Sequence, residues 1–194
     1  MQRVTSCTAI AACLLTVAAA SWASADEKKV PDCVYVGTPN DVVEKMIDMA
    51  KIKKTDLVYD PGCGDGRMVI MAAKKHGCRG IGYEIVPKLL AEGNKLAKRR
   101  KVDHLVKIED KDIFKADYSD GNVVLMYLLP EMIVRMTPQF EKMKDGSRIV
   151  AHDYPIKGVA PDDTVTMTSN EDNVKHTVYL YTLPLKKERK KEAE

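Results

Sequence analysis

The sequence lacks the usual marks of metal, hydrolase and nucleic-acid chemistry. Five of its 194 residues are cysteine, and those beyond residue 25 have no metal-ligand spacing, so no metal site is predicted. It contains no HExxH motif and no Ser-His-Asp pattern of a nucleophilic hydrolase. Its 31 basic and 28 acidic side chains nearly cancel, to a net charge of +3. This balance excludes a strong attractive field for nucleic acid, and no nucleic-acid partner is expected.

The apolar run near the N-terminus is too short to span a bilayer comfortably, which takes about 20 residues. This run, Cys7–Ala20, follows Arg3 and has the length of a signal-peptide core. Ala23-Ser-Ala25 then matches an A-x-A cleavage site. We therefore predict that residues 1–25 are a cleaved signal peptide and that the protein is exported, periplasmic or secreted. The alternative is an uncleaved N-terminal segment that anchors the protein in a membrane.

The rest of the chain is long enough for one domain with a sizeable core, and no linker or repeat divides it. We expect a flexible lead-in over residues 26–37, the domain over 38–185 and a charged, solvated tail over 186–194. In an exported protein, Cys33 and Cys78 are able to form a disulfide. The expected state is a monomer with no stable membrane span after signal cleavage.

Apolar runs and amphipathic stretches alternate through the domain, which predicts a doubly wound α/β sheet. Asn122–Leu128 is nearly all apolar, as expected for a central parallel strand that is buried on both faces. The first helix is expected to begin with Thr38 as its cap and Pro39 in the first helical position. The last two segments, with a polar turn between them, predict an antiparallel hairpin. The predicted strands are Asp56–Asp60, Arg79–Ile85, Leu105–Glu109, Asn122–Leu128, Ser147–His152, Thr164–Thr168 and His176–Thr182.

A glycine-rich turn, Asp60-Pro-Gly-Cys-Gly-Asp-Gly66, joins the first strand to the next helix. Such a turn lets a ligand contact bare backbone at a helix N-terminus. It differs from a dinucleotide fingerprint, because Arg67 stands where that pattern has glycine, and the Gly-Lys-Ser/Thr of a phosphate loop is absent. The D-x-G-x-G-x-G form resembles motif I of the class I S-adenosylmethionine-dependent methyltransferases. The resemblance implies that S-adenosyl-L-methionine is the cofactor and that the turn holds its methionine portion, with Asp60, Gly62, Cys63, Gly64 and Gly66 as binding residues.

Two acidic residues follow the next strands, at the sheet edge where open α/β proteins bind ligands. Glu84 ends the second strand, where a carboxylate can accept both hydroxyls of a ribose. The alternative is a surface glutamate that interacts with a helix dipole. After the third strand, the resemblance implies that Asp112 binds the adenine amine and that Ile113 lies against the ring, with Asp110 as the second choice. The alternative there is an ordinary polar loop.

The ends of the fourth and fifth strands supply the candidate catalytic residues. Tyr127 either lines the pocket for methyl transfer or is a core aromatic residue. His152 and Asp153 are candidates for handling the proton of an amine acceptor, or they form a structural pair. The fourth strand lacks the Asp/Asn-Pro-Pro-aromatic motif of enzymes that methylate nucleobase or glutamine amides, which disfavours those acceptors.

Three longer stretches resemble one subfamily, the small lysine methyltransferases of the ATP synthase c-subunit and the adenine nucleotide carrier, with their bacterial relatives. The stretches are Gly62–Lys74, Gly82–Pro87 and Asp112–Ser119, within a likeness that covers about Thr38–Tyr154. The resemblance implies a Rossmann-like, seven-stranded methyltransferase fold and methyl transfer to an amine, with protein lysine as a candidate acceptor. The alternatives are a small-molecule methyltransferase and a non-catalytic module that binds S-adenosylmethionine, because this cytosolic cofactor is scarce outside the cell.

Overall fold

Strands and helices alternate along residues 34–188, the part of the chain that the computed structural model describes. A one-turn 3₁₀ helix, Ile113–Lys115, follows the third strand. The helices are α1 (Asn40–Ala50), α2 (Arg67–His76), α3 (Pro87–Arg99) and α4 (Pro130–Phe140). The strands are β1 (Leu57–Pro61), β2 (Arg79–Glu84), β3 (Val106–Asp110), β4 (Val123–Met126), β5 (Arg148–His152), β6 (Asp163–Thr168) and β7 (Lys175–Thr182).

The seven strands form one sheet in the order β3-β2-β1-β4-β5-β7-β6. Strands β1 to β5 are parallel, whereas β7 runs antiparallel to both β5 and β6. This sheet confirms the predicted methyltransferase fold with its C-terminal antiparallel hairpin. The strand order reverses between β1 and β4, and a crevice at the carboxyl ends of the strands is expected at such a point.

The core lies on both faces of the central strands. All four residues of β4 are fully buried, as the apolar run predicts. Helices α1, α2 and α3 pack their apolar residues on one face, and α4 packs Met132, Ile133, Met136 and Phe140 on the other. Both faces are therefore sealed, and the carboxyl ends of the strands are left for ligand binding.

The start of α1 differs from the prediction. Pro39 is the N-cap residue, so the helix begins at Asn40, and no side chain caps it. The predicted Thr38 cap is wrong, because the Thr38 hydroxyl lies 3.0 Å from Nδ1 of His152 instead. A long-range contact with β5 has replaced the local one, and it ties the segment before α1 to the end of β5.

Several predictions concern residues outside the described range. The signal peptide, Cys33 and the last six residues of the charged tail lie there. Cys78 is buried as a free cysteine, and its pairing with Cys33 stays a prediction. Within residues 34–188, no helix is long and apolar enough to cross a membrane.

Candidate active site

The glycine turn is built from backbone that other residues adopt with difficulty. Gly62, Gly64 and Gly66 have φ values of +71°, +55° and +72°, in the left-handed region that disfavours any residue with a Cβ. The N–H groups of Gly62 and Cys63 both donate to the carbonyl of Tyr83 on the neighbouring strand, at 2.9 and 3.0 Å. These bonds hold the turn against the end of β2.

Glu84, at the end of β2, ties the turn to the next loop through its carboxylate. Its Oε2 accepts from the N–H of Gly64 at 2.9 Å, and its Oε1 accepts from the N–H groups of Ile85 and Val86 at 2.8 Å each. A carboxylate offers about four acceptor positions, so capacity remains for a ligand hydroxyl. The side chain is buried, yet it lines a cavity at the carboxyl ends of the strands, which suits the predicted ribose contact.

The predicted adenine residues also face this cavity. Asp112 caps the 3₁₀ helix, because its Oδ1 accepts from the N–H of Phe114 at 2.9 Å. Its Oδ2 lies 3.7 Å from Nζ of Lys115. Ile113 follows at once, so an acceptor oxygen and an apolar side chain lie side by side on the cavity wall.

One cavity, the main cavity, has a volume of about 520 Å³ and is lined by predicted site residues from the ends of four strands. Its volume lies in the range of about 300–1,000 Å³ that is typical of ligand pockets. Most of its lining is apolar, with Glu84 and Asp112 as its carboxylates. The predicted residues that line it are Gly62, Glu84, Asp112, Ile113 and Tyr127.

A smaller cavity beside it is lined in part by Asp60, the acid at the start of the glycine turn. Asp60, Gly62, Cys63 and Tyr127 contribute to its lining. Burial raises the pKa of Asp60 well above its usual range, and the negative charges of Asp65 and Glu84 raise it further. Burial likewise raises the pKa of the Cys63 thiol, so this cysteine is not an activated nucleophile. A positive charge on a bound ligand would favour the ionised form of Asp60.

Gly64 and Gly66 line neither cavity. The ring of Tyr35 covers Gly64, where an added Cβ would lie 1.9 Å from Cε2 of Tyr35. Gly66 is the N-cap of α2, and a Cβ there would lie 2.6 Å from Cδ1 of Ile108. In this structure Gly64 and Gly66 allow close packing, and Gly62 is the motif glycine at the main cavity. The role of Gly64 and Gly66 in cofactor binding stays a prediction.

Tyr35 belongs to a segment whose role the sequence patterns do not reveal. Arg67 holds this segment on the turn, since its guanidinium donates to the carbonyl of Thr38 at 2.8 Å and pairs with Asp65 at 2.9 Å. Burial, followed by the charge of Asp65, raises the pKa of Tyr35 to about 12. Residues 34–37, predicted to be the end of a flexible lead-in, thus contact the site. The one sequence feature that could have indicated this contact is Arg67, which stands where a dinucleotide motif has glycine.

Tyr127 stands where the two cavities meet. Its ring centroid lies 4.1 Å from that of His152, and it stacks on Tyr154 with centroids 6.1 Å apart. Burial raises the pKa of Tyr127, and the nearby charge of Asp153 adds to the shift. The tyrosine is therefore a neutral, aromatic wall at neutral pH.

His152 and Asp153 lie behind Tyr127 and line neither cavity. His152 is 1% exposed, and burial lowers its pKa to about 4. Its Nε2 lies 2.9 Å from Nδ1 of His176, a residue of β7 that no sequence motif singles out. His152 is connected to the cavities through its neighbours Tyr127 and Thr38, both of which line the smaller cavity. No sequence signal pairs His176 with His152, because the two residues are 24 positions apart and His176 lies in a strand of the hairpin.

Comparisons with known proteins agree with this geometry. Residues 60–163 match the family model described as the ANTKMT methyltransferase domain. The chain is 36% identical over 156 residues to a protein-lysine N-methyltransferase of Saccharolobus islandicus, in a match that covers 79% of this chain and 96% of that protein. It is 31% identical over 129 residues to the human lysine N-methyltransferase of the ATP synthase c-subunit. That match covers 66% of this chain and 54% of the human protein, so the chain spans about half of its length.

Solved structures show the same architecture. A crystal structure of an RNA methyltransferase from Salinibacter ruber, in complex with S-adenosyl-L-homocysteine, shares 40% identity with a TM-score of 0.70. The match covers 82% of this chain and 99% of that one. A geranyl diphosphate C-methyltransferase from Streptomyces coelicolor A3(2) has a TM-score of 0.60 at 14% identity, over 74% of this chain and 75% of its own. That second likeness shows the fold alone.

Proposed function

This chain belongs to the family of the ANTKMT methyltransferase domain, and we propose that the acceptor of this S-adenosylmethionine-dependent methyltransferase is a protein lysine. The main support is the relative that is a protein-lysine N-methyltransferase, since the likeness covers almost all of its length. The human relative, which by its name acts on lysine of the ATP synthase c-subunit, supports the same acceptor class.

The residues present fit the cofactor. Glu84 and Asp112 place acceptor oxygens at two strand ends on one cavity of about 520 Å³. Ile113 adds an apolar contact for a base, and the buried Asp60 is a carboxyl near the turn whose ionised form a positively charged ligand would favour. When bound, S-adenosylmethionine supplies a methyl group on a positively charged sulfur, which is already activated for transfer. The observation that carries the proposed cofactor site is this convergence of Glu84, Asp112 and Tyr127 on one cavity.

The remaining task for the protein is to orient an amine and exclude water. Tyr127 and Tyr154 stack as parallel aromatic surfaces close to the cavity, and an alkyl chain that ends in an amine can lie against them. An apolar surrounding lowers the pKa of a lysine ammonium, so the neutral, nucleophilic amine forms more readily. With the cofactor bound, the amine nitrogen would take the methyl carbon as the bond from that carbon to sulfur breaks, S-adenosylhomocysteine would leave as a neutral thioether, and the methylated ammonium would lose its surplus proton to solvent.

The acceptor can be tested by labelling extracts. Purified enzyme with isotopically labelled S-adenosylmethionine is incubated with membrane proteins, soluble proteins, RNA and small metabolites as separate fractions. We expect the label on lysine side chains, located by mass spectrometry of protein digests. The Glu84→Ala enzyme, which should bind the cofactor poorly, serves as the background control.

The other outcomes separate the alternatives. Label on RNA would contradict the lysine proposal and favour the acceptor class of the Salinibacter relative, an RNA methyltransferase by its name. Label on a metabolite would identify a small-molecule methyltransferase. Cofactor binding without transfer to any fraction would identify a binding module.

Export by a cleaved signal peptide is part of the same proposal. Its support is the apolar run Cys7–Ala20 followed by Ala23-Ser-Ala25. N-terminal sequencing of the protein from its native cells should begin at Asp26 if the signal is cleaved there. A start at Met1 in a membrane fraction would indicate an uncleaved anchor instead.

A further inference from the structure

Three acceptor atoms converge behind Tyr127, outside the two cavities. Nε2 of His152 lies 2.9 Å from Nδ1 of His176, and Oδ2 of Asp153 lies 3.3 Å from the first and 3.2 Å from the second. His152 ends β5, Asp153 follows it, and His176 lies on β7, so the tertiary structure creates the group. The ionised carboxylate always offers a lone pair, and each of the two nitrogens offers one in the tautomer whose proton lies on the other ring nitrogen.

The outer hydrogen bonds orient these lone pairs toward one another. His176 Nε2 lies 3.1 Å from Oδ2 of Asp172, which only accepts, and in the neutral ring with its proton on that nitrogen Nδ1 is free to act as a ligand. A cation bound at Nδ1 would take the place of the proton that Nδ1 can otherwise share with Asp153, 3.2 Å away. His152 Nδ1 lies 3.0 Å from the Thr38 hydroxyl, whose oxygen can accept the N–H of that ring. Asp153 is fixed as well, since its Oδ1 accepts from the N–H of Thr177 at 2.9 Å.

The spacing of the three atoms fits a metal ion. Ligands at about 2.0–2.2 Å from zinc lie roughly 3.3 Å from one another in a tetrahedral site, close to the three distances seen here. Imidazole and carboxylate together are a ligand set that zinc accepts. A carboxylate on the far nitrogen of a ligating histidine, as Asp172 is for His176, is the usual outer partner in zinc sites.

We propose that His152, Asp153 and His176 bind one divalent cation of the zinc type, with Asp172 and Thr38 orienting the two rings. Asp153 is the most exposed of the three ligands, with a side chain that is 26% exposed, so solvent reaches the cluster from its side. The ion fixes the His152 ring, and that ring packs on Tyr127 at the end of the main cavity. The metal would thus support Tyr127 from behind without contacting the methyl acceptor. The proposal of a metal site therefore does not depend on which acceptor is methylated.

The experiment titrates zinc alone into the full chain. The protein is produced without a polyhistidine tag, treated with a chelator, and studied by calorimetry and by elemental analysis after dialysis. We expect one tightly bound zinc per chain and a higher melting temperature in its presence. His104→Ala is the matched control, because His104 is exposed and remote from the cluster, and it should bind zinc as the unchanged protein does.

Variants of the cluster separate ligands from outer partners. Asp172→Asn keeps all three ligands and should weaken zinc binding about 10- to 100-fold, as changes to outer partners do. His176→Ala and Asp153→Asn should weaken it by more than that. Circular dichroism shows whether each variant folds. Asp172→Asn, on the exposed side of the cluster, gives a result even if the others do not fold.

Two results would overturn the proposal. One is a folded, chelator-treated protein that takes up no zinc at a large excess of the ion. In that case the cluster is a hydrogen-bonded chain from Thr38 to Asp172 that shares protons only. The other is zinc binding that is equal in the unchanged protein, His176→Ala and Asp153→Asn, which would place the ion elsewhere.

Discussion

The two ends of the main cavity are built in different ways. At the proposed cofactor end, the turn after β1 and the acids after β2 and β3 use backbone N–H groups and single carboxylates. At the proposed acceptor end, Tyr127 is supported by a side-chain network that draws on Thr38, His152 and His176. The first end is made of local segments in chain order, and the second is made of residues that only the fold brings together.

This difference predicts how each end responds to substitution. Changes at the cofactor end should weaken cofactor binding, because the carboxylates and glycines there form the proposed binding site itself. Changes at the acceptor end should leave cofactor binding almost intact and lower the rate of transfer, because they disturb alignment.

The largest effect is expected from Gly64→Val. The φ of +55° disfavours a β-branched residue, and the new side chain would collide with Tyr35 and disturb the bond from Gly64 to Glu84. We expect more than about 100-fold weaker binding of S-adenosylmethionine in a calorimetric titration. Gly158→Val is the control. Gly158 also has a left-handed backbone, with φ of +75°, but an added Cβ there would meet open space. Normal binding by Gly64→Val would show that the turn does not shape the cofactor site.

Glu84→Ala should come next. Its carboxylate accepts three backbone N–H groups and lines the cavity, so its removal leaves buried donors and ligand hydroxyls without a partner. We expect cofactor binding to weaken by roughly 1–3 kcal/mol. Glu92→Ala, on the exposed side of α3, is the matched control in the same titration. An unchanged dissociation constant for Glu84→Ala would contradict the ribose assignment.

Tyr127→Leu tests the acceptor end. The substitution removes the aromatic wall that packs on His152 and Tyr154 but leaves Glu84 and Asp112 in place. We expect kcat to fall on the order of tenfold through poorer alignment, with cofactor affinity nearly unchanged. Tyr127→Phe keeps the ring and should lose less. A large loss of cofactor affinity in both variants would remove the distinction between the two ends.

The smallest effect is a proton release at Asp60. Its pKa in the free protein is raised by burial and by the charges of Asp65 and Glu84, and a positively charged ligand favours the ionised form and lowers that pKa. Binding of S-adenosylmethionine should therefore release part of a proton, and its affinity should rise as pH rises. Calorimetry in buffers of different ionisation enthalpy measures this release.

Two comparisons isolate the contribution of Asp60. S-adenosylhomocysteine lacks the charge on sulfur and should release less, and Asp60→Asn should abolish the difference between the two ligands. A buffer-independent heat of binding for the unchanged protein would show that Asp60 does not respond to the ligand charge.

The convergence of Gly62, Glu84 and Asp112 on one cavity could be predicted because its signals are local. The D-x-G-x-G-x-G turn, Glu84 and Asp112 each follow a strand, and parallel strands carry their carboxyl ends to one edge. The same reasoning places Tyr127 correctly on the cavity. The sequence pattern does not distinguish Gly62, which lines the cavity, from Gly64 and Gly66, which do not, because the neighbours of each glycine depend on packing.

The sequence by itself determined the fold class, the position of the turn and the acids that follow the strands, because periodicity and strand-end chemistry are properties of short segments. Only the tertiary structure decided that Tyr35 covers Gly64 and that His176 meets His152 and Asp153 behind Tyr127. Those contacts join segments from the start, middle and end of the domain. They depend on how helices and strands pack, which no short pattern of residues records.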